Sequence, residues 1–396
     1  MVPVKGMLSI CGALAAGEYL ASFVPSAADV WPAVAGLAVL IALFGFGLAV
    51  RGWPLAFFCI LGIALFLCAS TADERLYREK PWMRGRLNRD RRTCQRQTGI
   101  VRELKGDLSR RIAIGLADGS ETVDLSRAIL LGERRRLTPQ VKRTFVESGT
   151  MHVFAISGLH VMAVAEVLTY LLALLLVPRR LVGVAAVPLL WGYVWLIGFS
   201  PSAVRAASMA TFSCLAPLFW RKPDGLRSWA LTFLTVHLLD PQMIVNVGSV
   251  LSFAVMLAIV LVGNWVRNFP KGAGTLAVTV AAWAVGVPIA AHVFGRITPG
   301  GMLANLVLIA TARITVVTGA VGMLASYLSE ALAAHLNNLS ALTVRMMVWA
   351  ADAVSRLPGA NYETARWTLP ECAAWYAALV LVACLLRRLV GRRKVI

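Results

Sequence analysis

The sequence predicts an all-α polytopic membrane protein of about 12 transmembrane or re-entrant helices, carrying one small extracytoplasmic β-rich insertion. Three observations predict it. Of 396 residues, 58% are hydrophobic and only 15% are charged, and the mean hydropathy is +0.72. Soluble domains carry about 45–50% apolar and about 25% charged residues. Apolar runs near the roughly 20 residues that cross the hydrocarbon core recur along the chain, and one long polar segment interrupts them. This composition excludes a soluble enzyme, a disordered chain and a disulfide-rich secreted domain.

The runs 7–24, 31–50 and 53–70 predict three N-terminal transmembrane helices over residues 1–70. The first follows a short basic start without a small-residue cleavage pattern, so it reads as a span and not a signal peptide. Residues 71–149 form a basic soluble segment, with 19 Lys+Arg against 11 Asp+Glu. Period-two alternation at 98–103, 111–116 and 121–125 predicts three strands. The turn signals Lys105-Gly106-Asp107 and Ala117-Asp118-Gly119-Ser120 separate them. The Arg-rich run 84–96 reads as a basic surface helix or a solvated linker.

Residues 150–396 are a second membrane domain. Its spans are placed at 152–177, 183–199, 203–220, 228–240, 243–263, 275–294, 302–326, 332–356 and 371–390. The run 228–240 is short. The run 332–356 contains His335, Asn337, Asn338, Arg345 and Asp352, so it either spans with a polar face inward or lies in the interface.

The formal charge is +19, from 39 Lys+Arg and 20 Asp+Glu. Most Lys and Arg between spans fall on the Met1 side: Arg51, Arg179, Arg180, Arg221, Lys222, Arg227, Arg267, Lys271 and the tail from Arg387 to Lys394. Basic loops stay cytoplasmic, so both termini are expected inside and 71–149 outside. Six of the seven cysteines lie in apolar stretches and Cys94 stands alone in the polar segment. No cysteine–histidine cluster has metal-ligand spacing, and neither a metal nor another cofactor is expected.

Ionisable groups at membrane depth are functional candidates. Ser157 and His160 are three apart at the start of a span, with Gly158 between them. On a helix they share a face. Such a pair is a nucleophile and base, a polar line on a water-filled path, or a small-residue helix contact. Glu166 on the same span is expected to pair with a neighbouring helix. A second cluster, Gly198 to Ala206, places Arg205 just after the helix-breaking Pro201. A third is Asp240-Pro241 with Asn246, Ser249 and Ser252 at helical spacing. A fourth runs from Pro288 through Gly300-Gly301 to Asn305 and Arg313. Prolines and glycines beside apolar segments signal broken helices, which line cavities or sit buried in protein. Phosphate-loop, dinucleotide and HExxH motifs are absent, and the five histidines are scattered. No nuclease, ATPase or catalytic residue is assigned.

The passage Leu130-Leu131-Gly132-Glu133, Leu137-Thr138-Pro139 and Gly149 to Val161 resembles the signature of the ComEC family of bacterial competence membrane proteins. Weaker matches follow in order around Arg205, from Asp240 to Phe253, and from Pro288 to Leu306. The resemblance implies a competence-type channel over 150–396 for uptake of single-stranded DNA across the bacterial inner membrane. Its path would be lined by Ser157, Gly158, His160, Arg205, Asp240, Asn246, Ser252 and Asn305. It also implies a cytoplasmic helicase-like ATPase, a periplasmic DNA receptor and a separate nuclease as partners. Membrane lipid surrounds the spans, and a homo-oligomer is left open. The β-rich insertion would be a reduced OB-like barrel, and a C-terminal metallo-β-lactamase-like domain is expected to be lacking. Only Phe145 could stack a base within 95–149. Two alternatives stand beside this reading. One is a truncated paralogue that moves a smaller solute or supports another envelope or DNA-transfer system. The other is an intramembrane hydrolase using Ser157 and His160.

Overall fold

A computed structural model describes residues 99–117, 119–154, 157–239 and 247–392. The three N-terminal spans, the Arg-rich run 84–96, Asp240 and Asn246 lie outside the described residues. The described chain forms helices α1 (Gly99–Ile112), α2 (Glu121–Leu131), α3 (Pro139–Glu147), α4 (Gly158–Leu174), α5 (Arg179–Leu196) and α6 (Pro201–Leu215). There follow α7 (Gly225–Leu239), α8 (Val247–Trp265), α9 (Lys271–Phe294), α10 (Gly300–Ala325), α11 (Glu330–Ser355) and α12 (Leu369–Arg392). Strand among the described residues is confined to Arg296–Ile297 and Tyr362–Glu363.

Every apolar run expected after Gly149 is a helix, α4 to α12 in order. Four stretches are long and apolar enough to cross a membrane: Pro201–Phe219, Val247–Trp265, Gly272–Phe294 and Gly300–Ala325. Gly158–Leu174, Leu181–Leu196 and Leu369–Leu385 are shorter apolar helices. The segment 332–356 is one uninterrupted helix. Ala333, Asn337, Ser340, Ala341, Val344, Met347 and Ala351 are buried on one side of it, while Leu332, Leu339, Leu342, Met346 and Trp349 are exposed on another. Small and polar residues inside with large apolar residues outside is the pattern of a helix bathed in lipid.

The expected strands at 98–103, 111–116 and 121–125 are corrected: these residues lie in α1 and α2 or their termini. Short alternation misleads there because it covers less than two helical turns. Over the longer window Val101, Leu108 and Ile112 repeat with helical period, and Val101 and Ile112 are buried. Asp107 and Arg111 form an i,i+4 ion pair at 2.7 Å, a spacing that only a helix supplies. The apparent turn at Gly119-Ser120 is a helix start, for the Ser120 side chain accepts from the Val123 amide.

The described chain divides into two units. The motif unit holds 99–224 and 298–362; the companion unit holds 225–297 and 363–392. The motif unit is built around the antiparallel hairpin of α10 and α11. The α10 face turned inward is small: Gly300, Gly301, Ala304, Ala312, Gly319 and Gly322 are all buried. A Cβ on Gly319 would stand 2.5 Å from Leu130 Cδ1, and one on Gly322 would stand 2.7 Å from Asn337 Oδ1. Thr315 and Thr343 share a hydroxyl hydrogen bond of 2.7 Å between the two helices. Helices α1 to α3 pack on this hairpin. Asn337 donates to the Arg111 and Ile114 carbonyls at 2.8 and 3.1 Å, which closes the C-terminus of α1. Buried Arg127 of α2 donates twice to the Ser109 carbonyl and once to Asp124.

In the companion unit α8 packs on α7 and α9, and α9 on α12. Large rings hold it. Trp229 stacks on Phe233, meets Phe253 edge-on, and donates its indole N–H to the Phe253 carbonyl at 3.0 Å. Trp375 and Tyr376 of α12 donate to the Ala284 and Val285 carbonyls of α9. Those carbonyls are free because Pro288, four residues on from Ala284, lacks the amide that would bind it.

Candidate functional site

Local sequence explains how the signature passage is held. Thr138 caps α3 ahead of Pro139 at the first helical position. Gly132 ends α2 in the left-handed conformation. Gly149 has φ +74, and a Cβ there would meet Thr298 Oγ1 at 2.5 Å, so only glycine fits. Phe145 is fully buried and packs edge-on against Phe154 at 4.6 Å. The single aromatic candidate for base stacking in that segment is therefore part of the core.

Ser157 stands at the N-cap of α4 in an extended conformation. Its amide donates to His160 Nδ1 at 3.0 Å, and its Oγ lies 2.8 Å from the same nitrogen. A backbone N–H can only donate. Nδ1 is therefore the acceptor, and the neutral ring carries its proton on Nε2. His160 is 1% exposed. Its Nε2 has no hydrogen-bond partner among the described residues. The pair is within reach, as the shared face required, and its geometry is that of a reciprocal cap.

Arg205 is the fifth residue of α6 and is buried. Ser200 precedes that helix, and its buried Oγ has no partner among the described residues. Asn305 is the sixth residue of α10, and its buried Oδ1 likewise has none. Helix α4 packs on α5, α6 and α10. Short turns join α4 to α5 and α5 to α6, so α4 and α6 run the same way. Gly149, ahead of α4, touches Thr298, ahead of α10, and Glu166 in mid-α4 meets Arg313 in mid-α10. Helix α10 therefore also runs with α4. Ser157, Gly158, His160, Ser200, Arg205 and Asn305 thus gather near the N-terminal ends of three parallel helices. Each such end carries roughly half a positive charge, and Arg205 adds a whole one. Chemically, this arrangement favours an anion over a cation.

Ser252 lies half-buried on α8 of the companion unit, and Asp240 and Asn246 are outside the described residues. Glu166 pairs with a neighbouring helix as expected: both of its oxygens accept from Arg313 Nη2, at 2.8 and 2.6 Å. The sequence reading missed the Tyr193 hydroxyl, which donates to the Leu130 carbonyl at 3.1 Å. A lone tyrosine in an apolar run carries no signal that separates this tie from plain packing. Among the described residues no three His, Cys, Asp or Glu side chains stand close enough to hold a metal ion.

Residues 129–389 match the family described as Competence protein. ComE operon protein 3 of Bacillus subtilis (strain 168) is 26% identical over 202 residues, which cover 51% of this chain and 26% of that protein. Competence protein ComA of Neisseria gonorrhoeae is 34% identical over 158 residues, 37% of this chain and 22% of that one. An uncharacterized protein of Aquifex aeolicus (strain VF5) is 31% identical over 187 residues, with 46% and 43% covered. The match spans less than half the length of each of these relatives. No solved structure matches the chain. The match over 129–389 takes in the signature passage and helices α4 to α11, and it places this chain in the ComEC-type competence protein family.

Proposed function

We propose that this chain is a channel-type component of DNA uptake, admitting single-stranded DNA across the bacterial inner membrane. The observation that carries the reading is the convergence of three helix N-termini with Arg205 and the orphan polar atoms of His160, Ser200 and Asn305. A polyanion needs such a positive, hydrogen-bonding end at the mouth of its path. Family membership supplies the substrate class: two relatives are named as ComE-operon and competence proteins. In this reading about 12 helices cross or re-enter the bilayer, and both termini face the cytoplasm. The segment 71–149 lies outside. The chain performs no chemistry of its own. A helicase-like ATPase pulls the strand, a periplasmic receptor delivers it, and a separate nuclease removes its complement.

Equilibrium binding of a labelled single-stranded oligonucleotide by the purified protein tests this. Affinity is expected to fall linearly with the logarithm of salt concentration, with a slope of about −0.7 per phosphate neutralised. Arg205→Gln is expected to weaken binding and to reduce that slope. Absence of binding at low salt would reject the DNA reading in favour of a smaller solute.

A further inference from the structure

A second set of charges lies deeper than the site above. Arg313 is the fourteenth of 26 residues in α10, Arg345 the sixteenth of 26 in α11, and Glu166 the ninth of 17 in α4. The Thr315–Thr343 hydrogen bond fixes the register of the antiparallel hairpin. Counting two residues back on one helix and two forward on the other sets Arg313 level with Arg345. The bidentate contact sets Glu166 at the same level. At 1.5 Å per residue this level is about 20 Å from either end of α10, the middle of a span.

These side chains are not hidden. Arg313 is 57% exposed and Glu166 39%. Arg345 is exposed and makes no ion pair among the described residues. A charge at the centre of a membrane helix costs about 2.5–3.5 kcal/mol even on insertion scales. Leu339, Leu342 and Met346, also exposed on α11, have the chemistry that lipid demands; Arg345 does not. Either water or another protein surface meets it. The level carries two arginines against one carboxylate, so its excess charge is positive.

We propose that Arg345, beside the Glu166–Arg313 pair, lines water at mid-depth and is a contact for a phosphodiester anion. The hydration stands on the geometry alone, whereas the anion's identity rests on the proposed function. The Glu166 carboxylate occupies Arg313, which leaves the Arg345 guanidinium as the group able to offer two parallel N–H donors to a phosphate.

The test uses the full chain in membranes with its native cysteines replaced, carrying Arg345→Cys, Arg313→Cys or, as the lipid-facing control, Leu339→Cys. Membrane-impermeant thiol reagents are expected to label the first two and to spare the third, which a lipid-soluble maleimide labels. With Arg313 retained, the anionic reagent should modify Arg345→Cys about tenfold faster than the cationic one. A single-stranded oligonucleotide should protect that cysteine at low salt. Labelling of Arg345→Cys by the lipid-soluble reagent alone, or its disulfide cross-linking to a second copy, would overturn the hydrated face. Aqueous labelling without protection would overturn the phosphate contact. Because labelling is read without DNA, its failure is separable from failure of the DNA reading, which oligonucleotide binding reports. Arg345→Lys with normal uptake and Arg345→Glu with uptake lost would support the contact in cells, and normal uptake by Arg345→Glu would refute it.

Discussion

The two units solve the same packing problem with opposite materials. The companion unit fills its helix contacts with indole and phenyl rings, and ties Trp229, Trp375 and Tyr376 to backbone carbonyls. The motif unit brings α10 and α11 together through glycine, alanine and hydroxyl contacts, so their backbones approach closely. Lipid gives helices no hydrophobic reason to associate, so packing and hydrogen bonds decide. Rings give area; small residues give proximity and leave room for polar groups at the contact. The buried orphan polar atoms of His160, Ser200 and Asn305 all occur in the motif unit. That difference suggests that the companion unit is a scaffold and the motif unit the working part.

The largest way to break this contrast is Trp229→Ala. It removes a fully buried ring with two aromatic neighbours and a hydrogen bond. A loss of about 3–5 kcal/mol is expected, measured as unfolding in mixed detergent micelles. The oligonucleotide affinity of the folded fraction should not change. Asn337→Leu attacks the motif unit. It orphans the Arg111 and Ile114 carbonyls and crowds Gly322. About 1–3 kcal/mol should be lost, with hydrogen exchange fastest to rise in α1.

Ser157→Ala should remove one hydrogen bond at the α4 N-cap and cost roughly 1 kcal/mol. Uptake retained in that variant would speak for a capping role; uptake abolished with the fold intact would favour chemistry at the hydroxyl. The smallest effect concerns pH. Arg111, hydrogen-bonded to Asp107, holds that carboxyl below its ordinary 3.8, and Tyr327 adds to the effect. The folded value is the lower one. The stabilisation is therefore present above about pH 3.8 and lost as pH falls through the folded value. Amide exchange in α1 should rise in that acid window beyond its chemical trend, and Asp107→Asn should flatten the difference.

Much of this was legible in the sequence, because lipid imposes a coarse code. Each apolar run after Gly149 became a helix, since nothing else satisfies backbone groups in hydrocarbon. The Ser157–His160 face and the Glu166 pairing followed from spacing alone. The region 98–125 was misread because period two over six residues competes poorly with a helix whose apolar repeat and Asp107–Arg111 pair need a longer window. Depth was also illegible. Nothing in the spacing of Arg313 and Arg345 shows that they are level; the Thr315–Thr343 register does. Arg205 and Asn305 became neighbours of Ser157 only through the parallel run of α4, α6 and α10.

Cytoplasmic arrival of labelled DNA, in a competent strain that carries this gene as its sole family copy, bears most directly on the conduit. With the gene deleted, DNA should still bind the cell surface yet stay accessible to external nuclease, and transformants should vanish until the gene is restored. Undiminished transformation in the deletion strain would contradict the account.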